Sequence, residues 1–279
     1  RSAAERWRTG LAILLLHAFV IGALISGGSS TDWLIFAIVY PVQAIGVGIG
    51  MHRYFAHRSF RTSRQFQFAL GLAAASVFGN AVSFAGKHRL HHQHVDSEND
   101  VHSPVHGIWA CWIGSLLDNG YTDEEILRKV PDLTRYPELM WLYRHPRIPG
   151  LILMGIAWLI GGWTAAAIGV GLGSVLMLQK SSALNYLAHK YGSRRFDTPD
   201  QSTNNWLMAI LAFGEGWHNN HHCYPRSARA GFYWWEIDMY YWVICLLEKP
   251  GVVWNVIRPP REAYATDSLV APDGQLRQP

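Results

Sequence analysis

Long runs without charge set the architecture of this chain. Residues 9–51 contain no Lys or Arg, and the run holds two apolar segments, "LAILLLHAFVIGALISGG" and "WLIFAIVYPVQAIGVGIGM", joined by the short polar turn "SSTD". Each is close to the ~20 apolar residues a helix needs to cross a bilayer. Residues 148–179 contain no charged residue at all, and Gly161 and Gly162 interrupt the run. Two further spans are expected there, the second continuing through Lys180 toward His189. The pattern predicts an all-α membrane protein with four transmembrane helices, at about 11–28, 33–51, 148–162 and 164–188. Water-facing helices over 52–147 and 189–257 form a cap in the same single domain, and a tail from 258 to 279 is expected to be loosely ordered.

Two other segments are harder to place. Residues 65–86 are also charge-free and long enough to span, yet a crossing there would put histidines 52 and 57 on the opposite face from histidines 88 to 92. The segment is therefore expected to lie in the interface, or to dip in and return. "FYWWEIDMYYWVICLL", residues 232–247, is rich in Trp and Tyr, rings that favour the headgroup level, and is expected to be an interfacial helix. A basic start followed by an apolar run resembles a signal peptide, but a second span follows at once, so a retained anchor is expected. Basic residues cluster before the first span (Arg6, Arg8), after the second (Arg53, Arg58, Arg61, Arg64) and after the fourth (Lys190, Arg194, Arg195). Hairpin spans put all three groups on one side, the cytoplasmic one by the positive-inside rule.

Composition adds little to this picture. The chain has 279 residues, 49% of them hydrophobic, and a mean hydropathy of +0.03, which suits a mixture of spans and a sizeable water-facing part. The net charge of +4 is modest, with no basic patch of the kind that binds nucleic acid. Three widely spaced cysteines, Cys111, Cys223 and Cys245, make no disulfide framework and are expected to be reduced thiols.

The chemistry lies in the histidines. Of fourteen, eight fall in three clusters: His52 and His57; His88, His91 and His92; His218, His221 and His222. Positions i, i+3 and i+4 share a helix face, so each HxxHH set can converge. His52 and His57 are five apart, some 140° around an ideal helix, and converge only if the helix ends or distorts there. "NYLAH" adds Asn185 and His189, at i and i+4. Nine imidazoles exceed one ion's coordination and imply two metals. Histidine-only sites suit zinc, copper, iron and nickel. Neutral ligands leave the metals' charge uncompensated, which favours bound hydroxide, oxide or substrate. Asp96, Asp100 and Glu215 are candidates to accept the distal N–H of ligand rings. His17 lies within the first span and is expected to face a neighbour; His94, His102, His106 and His145 lack partners at ligand spacing, and His94 is the best placed of them to act behind a ligand.

These motifs resemble those of the membrane fatty acid desaturases, most closely bacterial acyl-CoA desaturases of the stearoyl-CoA type. The resemblance covers nearly the whole chain after residue 45. "GMHRYFAHRSFRTSR" is similar to the family's first histidine box. "HRLHH" followed by "DVHSPVHGIW" is similar to the second, "NYLAH" to the N-x-x-x-H element, and "GEGWHNNHHCYP" to the third. Before the second box the chain reads "SFAGK", where bacterial relatives usually carry tryptophans or a further histidine. The resemblance implies four spans under a cytosolic cap and a bacterial inner-membrane location. It implies two iron ions bound by His52, His57, His88, His91, His92, His189, His218, His221 and His222, with Asn185 acting through a water. Zinc is the expected substitute in overexpressed protein. The activity implied is O2-dependent desaturation of a long acyl chain, acyl-CoA and Δ9-type, in contact with membrane lipid. No haem motif or cysteine cluster is present, so electrons come from a separate donor such as ferredoxin or cytochrome b5.

Other outcomes on the same scaffold are acetylenation, hydroxylation, terminal-alkene-forming decarboxylation, and action on carrier-protein or phospholipid substrates. A metal-binding transporter or sensor would need polar groups along a path through the spans, and residues 148–179 offer no charged one.

Overall fold

The computed structural model describes residues 2–97, 100, 103, 106–117 and 120–264. The rest of the expected tail, from 265, lies outside the described residues, as does His102. In chain order the helices are α1 Ala3–Ser26, α2 Ser30–Ala44, α3 Arg64–Ala75, α4 Ala81–His94, α5 Gly107–Trp109, α6 Ser115–Leu117, α7 Asp123–Arg128, α8 Pro131–Thr134, α9 Pro137–Arg144, α10 Ile148–Thr164, α11 Leu172–Leu187, α12 Trp206–Leu211, α13 His218–Cys223 and α14 Met239–Glu248. Three stretches wind as π-helix: Ile45–Ala56 continuing α2, Ala110–Gly114, and Ala165–Gly171 between α10 and α11. Two short strands, β1 Arg61–Thr62 and β2 Val253–Trp254, pair antiparallel.

The chain forms two compact units. The first comprises Arg1–Phe55, Arg64–Lys87 and Leu116–Gln179. Its helices turn their large apolar side chains outward: Leu14 on α1, Ile38 on α2 and Leu159 on α10 are all exposed, as in helices solvated by lipid. Among the described residues, three continuous helices are long and apolar enough to cross a membrane: Ala3–Ser26, Ser30–Ala56 and Ile148–Leu187. The third is 40 residues long, and Gly161 and Gly162 leave helical geometry, Gly162 at φ 76°. The interruption falls on the glycine pair that the sequence marks.

Inside this unit small residues let backbones approach, the usual packing of helices in lipid. A methyl group added at Gly169 would strike Ile35 of α2, and one at Gly46 would strike the backbone of Ala73 and Ala74 in α3. Gln43, fully buried on α2, donates from Nε2 to the carbonyls of Ser76 and Val170 and to Ser174 Oγ. It ties three elements together through one amide. His17 is held the same way: its Nδ1 lies 2.8 Å from the Ile13 carbonyl, and Gln179 Nε2 donates to its Nε2 at 3.0 Å.

Residues 65–86 are not one helix. α3 stops at Ala75, Phe78 takes a left-handed φ of 60°, and Asn80 Oδ1 caps α4 by accepting from Ser83 N. Neither piece is long enough to span.

The second unit comprises Ala56–Ser63, His88–Ser115 and Lys180–Pro279. A core of Phe196, Cys223, Phe232 and Ala263 packs beneath Tyr224, Tyr233 and Tyr264. Ala263 draws the first residues of the expected loose tail into this core, so order extends further than the sequence suggests. The aromatic run 232–247 is also only half helix. Residues 232–238 form turns, because the Glu236 carboxylate accepts from Phe232 N and Asp238 accepts from Ala230 N. The helix α14 begins only after Asp238, whose side chain accepts from Tyr241 N.

Candidate metal centre

His52 and His57 meet the geometric demand that the sequence raised. Ile45–Ala56 winds as a π-helix, whose hydrogen bonds run from i to i+5. Residues five apart are thereby brought close to a single turn. His57 follows the last π-helical residue, and Arg58 at φ 54° then turns the chain away. His52 belongs to the first unit and His57 to the second, and each is buried.

Within the second unit, ring nitrogens converge in two groups. His57 Nε2 lies 2.8 Å from His88 Nε2, His88 Nε2 lies 3.1 Å from His92 Nε2, and His92 Nε2 lies 3.2 Å from His221 Nε2. In the other group His218 Nε2 lies 3.0 Å from both His189 Nε2 and His222 Nε2. His91 joins it, with a ligating nitrogen within 4.8 Å of those of His189 and His222. The groups adjoin, the His92 and His222 ring centroids being 4.7 Å apart.

These contacts do not satisfy themselves. A neutral imidazole has one donor and one acceptor, so three Nε2 atoms that meet at one ring, as at His218, cannot all be paired by hydrogen bonds. Spacings near 3 Å are those between neighbouring ligands of an ion held at ~2.0–2.1 Å. The donor set therefore fits two transition-metal ions.

Three carboxylates brace the rings from behind. His91 Nδ1 donates to Asp100 Oδ2 at 2.9 Å, His189 Nδ1 to Asp96 Oδ2 at 3.1 Å, and His222 Nδ1 to Asp200 Oδ2 at 3.0 Å. Each bond places the proton on Nδ1 and leaves the Nε2 lone pair for a metal. Burial pushes the Asp96 pKa up, but the hydrogen bond and charge of His189, with Gln201 N and Ser103 Oγ, bring it down to about 2. The same balance, set by burial and His222, holds Asp200 well below the carboxylate range. Burial pulls His222 down to about 4 against the pull of Asp200, so its ring is neutral, as a ligand must be. Asp96 and Asp200, held ionised one hydrogen bond behind the rings, supply part of the countercharge that a purely neutral ligand set lacks.

Asp200 escaped the sequence reading because it sits in the polar loop "DTPDQST" at no fixed offset from a histidine box. Asn219 and Asn220, between the histidines of the third box, carry no such signal either. A six-residue helix such as α13 does not stand alone in water, and these amides fasten it. Asn219 Oδ1 accepts from Arg195 N and Phe196 N, and Asn220 Nδ2 donates to the Ala230 carbonyl and to Glu236. Asn185 lies half-buried on α11, and His189 follows two residues after that helix ends. His94, expected to act behind a ligand, is exposed at the end of α4.

A family model for fatty acid desaturases matches residues 30–245. The chain belongs to the fatty acid desaturase family. It is 34% identical over 257 residues to the icosanoyl-CoA 5-desaturase of Limnanthes douglasii, covering 90% of this chain and 72% of that one. Identity to the sn-2 palmitoyl-lipid 9-desaturase of Nostoc sp. (strain 36) is 34%, over 91% of each chain. Identity to the Delta-9 acyl-lipid desaturase 2 of Arabidopsis thaliana is 33%, over 84% of this chain and 76% of that one. This desaturase is thus an oxidoreductase acting in lipid metabolism, and the paired histidine groups are its candidate metal centre.

Proposed function

We propose that the chain is an O2-dependent di-iron desaturase that introduces a double bond into a long acyl chain, borne on CoA and of Δ9 type. It takes two electrons per turnover from a separate donor, a ferredoxin or a cytochrome b5. The observation that carries this reading is the pair of imidazole groups, braced by Asp96, Asp100 and Asp200, in a member of this family. His57, His88, His92 and His221, with His52, would hold one ion. His91, His189, His218 and His222, with Asn185 acting through a water, would hold the other. When bound, two iron ions supply the oxidising power that an unpolarised alkyl C–H requires and no side chain provides. The chain's own residues fix the tautomer of each braced ring and bury the site against water.

Four spans with all three histidine boxes on the cytoplasmic side fit this reading. The 40-residue apolar helix would be ~60 Å long if straight, twice the ~30 Å hydrocarbon core. Its interruption at Gly161–Gly162 supports two crossings.

A second reading, an acyl group on a membrane lipid, is favoured by the Nostoc relative, an sn-2 palmitoyl-lipid 9-desaturase. The test is incubation of iron-loaded protein in nanodiscs with acyl-CoA, acyl carrier protein and glycerolipid donors, with O2 and a reducing system. Mass spectrometry then locates the product's double bond. Turnover of acyl-CoA supports the first reading and turnover of glycerolipid alone the second. Hydroxylated, acetylenic or shortened products from every donor would sink both.

A further inference from the structure

Beside the metal centre, in the second unit, a solvent-facing cavity of about 400 Å³ is lined by Ala56, His57, Arg58, Arg89 and Arg226. Three of the five lining residues are arginines. Arg58 and Arg226 are exposed and Arg89 is half-buried. Arg89 is aimed by its own anchor, since Nε donates to the Ala56 carbonyl at 2.9 Å. The inner wall is His57, whose Nε2 faces His88 Nε2 at 2.8 Å. An occupant of this cavity therefore lies against a ring of the first nitrogen group.

The cavity attracts negative charge, and the proposed reaction needs two negatively charged visitors, the acyl carrier and the electron donor. Distance separates them. An acyl chain that reacts several methylenes from its carboxyl end holds its phosphate-bearing head well away from the metals, whereas this cavity touches a ligand ring. An electron donor gains from that closeness, because transfer slows steeply with distance. We propose that the Arg58–Arg89–Arg226 cavity is where an acidic one-electron carrier protein docks, and that the His57 ring is where its electron enters. The proposal rests on the desaturase reading above and adds to it the face used by the donor. Each docking oxidises one carrier by one electron. Two dockings and two protons accompany the reduction of one O2 to two waters, while the acyl chain gives up two hydrogens and gains a C=C bond.

Arg226 is the residue to change, since it lies on the rim and outside the ligand set. The experiment measures binding of oxidised ferredoxin to the iron-loaded full chain in nanodiscs, by titration, independently of turnover. R226E is expected to weaken binding by about tenfold or more and to flatten its salt dependence, since rim charges act on encounter. R226K, which keeps the charge, is expected to stay near wild type and shows that loss in R226E is not misfolding. In turnover, R226E raises KM for ferredoxin and leaves KM for the acyl donor unchanged. A raised acyl-donor KM with intact ferredoxin binding overturns the proposal and makes the cavity a headgroup site. Unchanged binding and unchanged salt dependence in R226E also overturn it. A chain that binds ferredoxin through Arg226 yet desaturates nothing would instead refute the reading of the reaction.

Discussion

The Asp200 carboxylate shows how much of this centre depends on groups that are not ligands. Its Oδ2 accepts from His222 Nδ1 at 3.0 Å, while its other oxygen accepts from Thr198 Oγ1 and Ser202 N. Replacing it with Asn keeps the shape and removes the charge that fixes the ring. D200N is expected to lower iron affinity or turnover by ~10–100-fold, the usual cost of losing such a partner. Iron content and turnover measured on folded protein check this. Asn185 and His189 make a sharper contrast. H189A removes an imidazole from the second nitrogen group and is expected to abolish turnover and reduce bound iron, whereas N185A keeps most of its iron and some activity. Equal iron loss in both would show that Asn185 ligates directly or is structurally indispensable. The histidines were legible because ligand spacing on a helix repeats in sequence. Asp200, Asn219 and Asn220 were not, because a hydrogen-bond partner supplied by a loop leaves no periodic trace.

At the scale of elements, the wide winding of Ile45–Ala56 and the break at Gly161–Gly162 do the positioning. Five-residue spacing of His52 and His57 demands a distortion if the two are to converge, and the π-helix is that distortion; its length, twelve residues, no spacing foretold. The glycine break was legible from two adjacent glycines in an uncharged run. The break between α3 and α4 rests on tertiary partners such as Asn80 Nδ2 donating to the Tyr143 carbonyl, which no local pattern announces. The aromatic run 232–247 misled for a related reason: composition marks affinity for an interface, not the turns that buried carboxylates impose. Two outcomes follow. G46A adds a methyl against the backbone of Ala73 and Ala74, and overpacking of this kind costs about 1–3 kcal/mol, so its thermal midpoint in detergent falls below wild type. A cysteine at Gly162 and another at Lys190, each in a cysteine-free background, are expected to react with an impermeant thiol reagent from opposite sides of sealed vesicles. Labelling from one side would make Ile148–Leu187 something other than a hairpin.

For the whole molecule, metal and fold are linked. Ions that bind the folded chain and not the unfolded one stabilise it by mass action. Stripping the metal with a chelator is expected to lower the thermal midpoint, and readdition of ferrous iron to restore it. Elemental analysis of active protein should give two irons per chain; one would refute the paired centre. The general plan, apolar helices plus a histidine-rich polar part, was legible from charge-free runs and histidine spacing alone. The carboxylate bracing and the arginine cavity were not, since both join segments far apart in sequence.

The crowding of Nε2 atoms within about 3 Å of one another has a consequence in the cell. A newly made chain that finds no ion must hold these rings apart or leave that part of the fold unfinished, and unfinished chains are what quality-control proteases remove. Abundance of the protein should then follow iron supply even at constant transcription. An iron-starved cell would lose its desaturating capacity by turnover of the polypeptide, and the fluidity of its membranes would register the shortage.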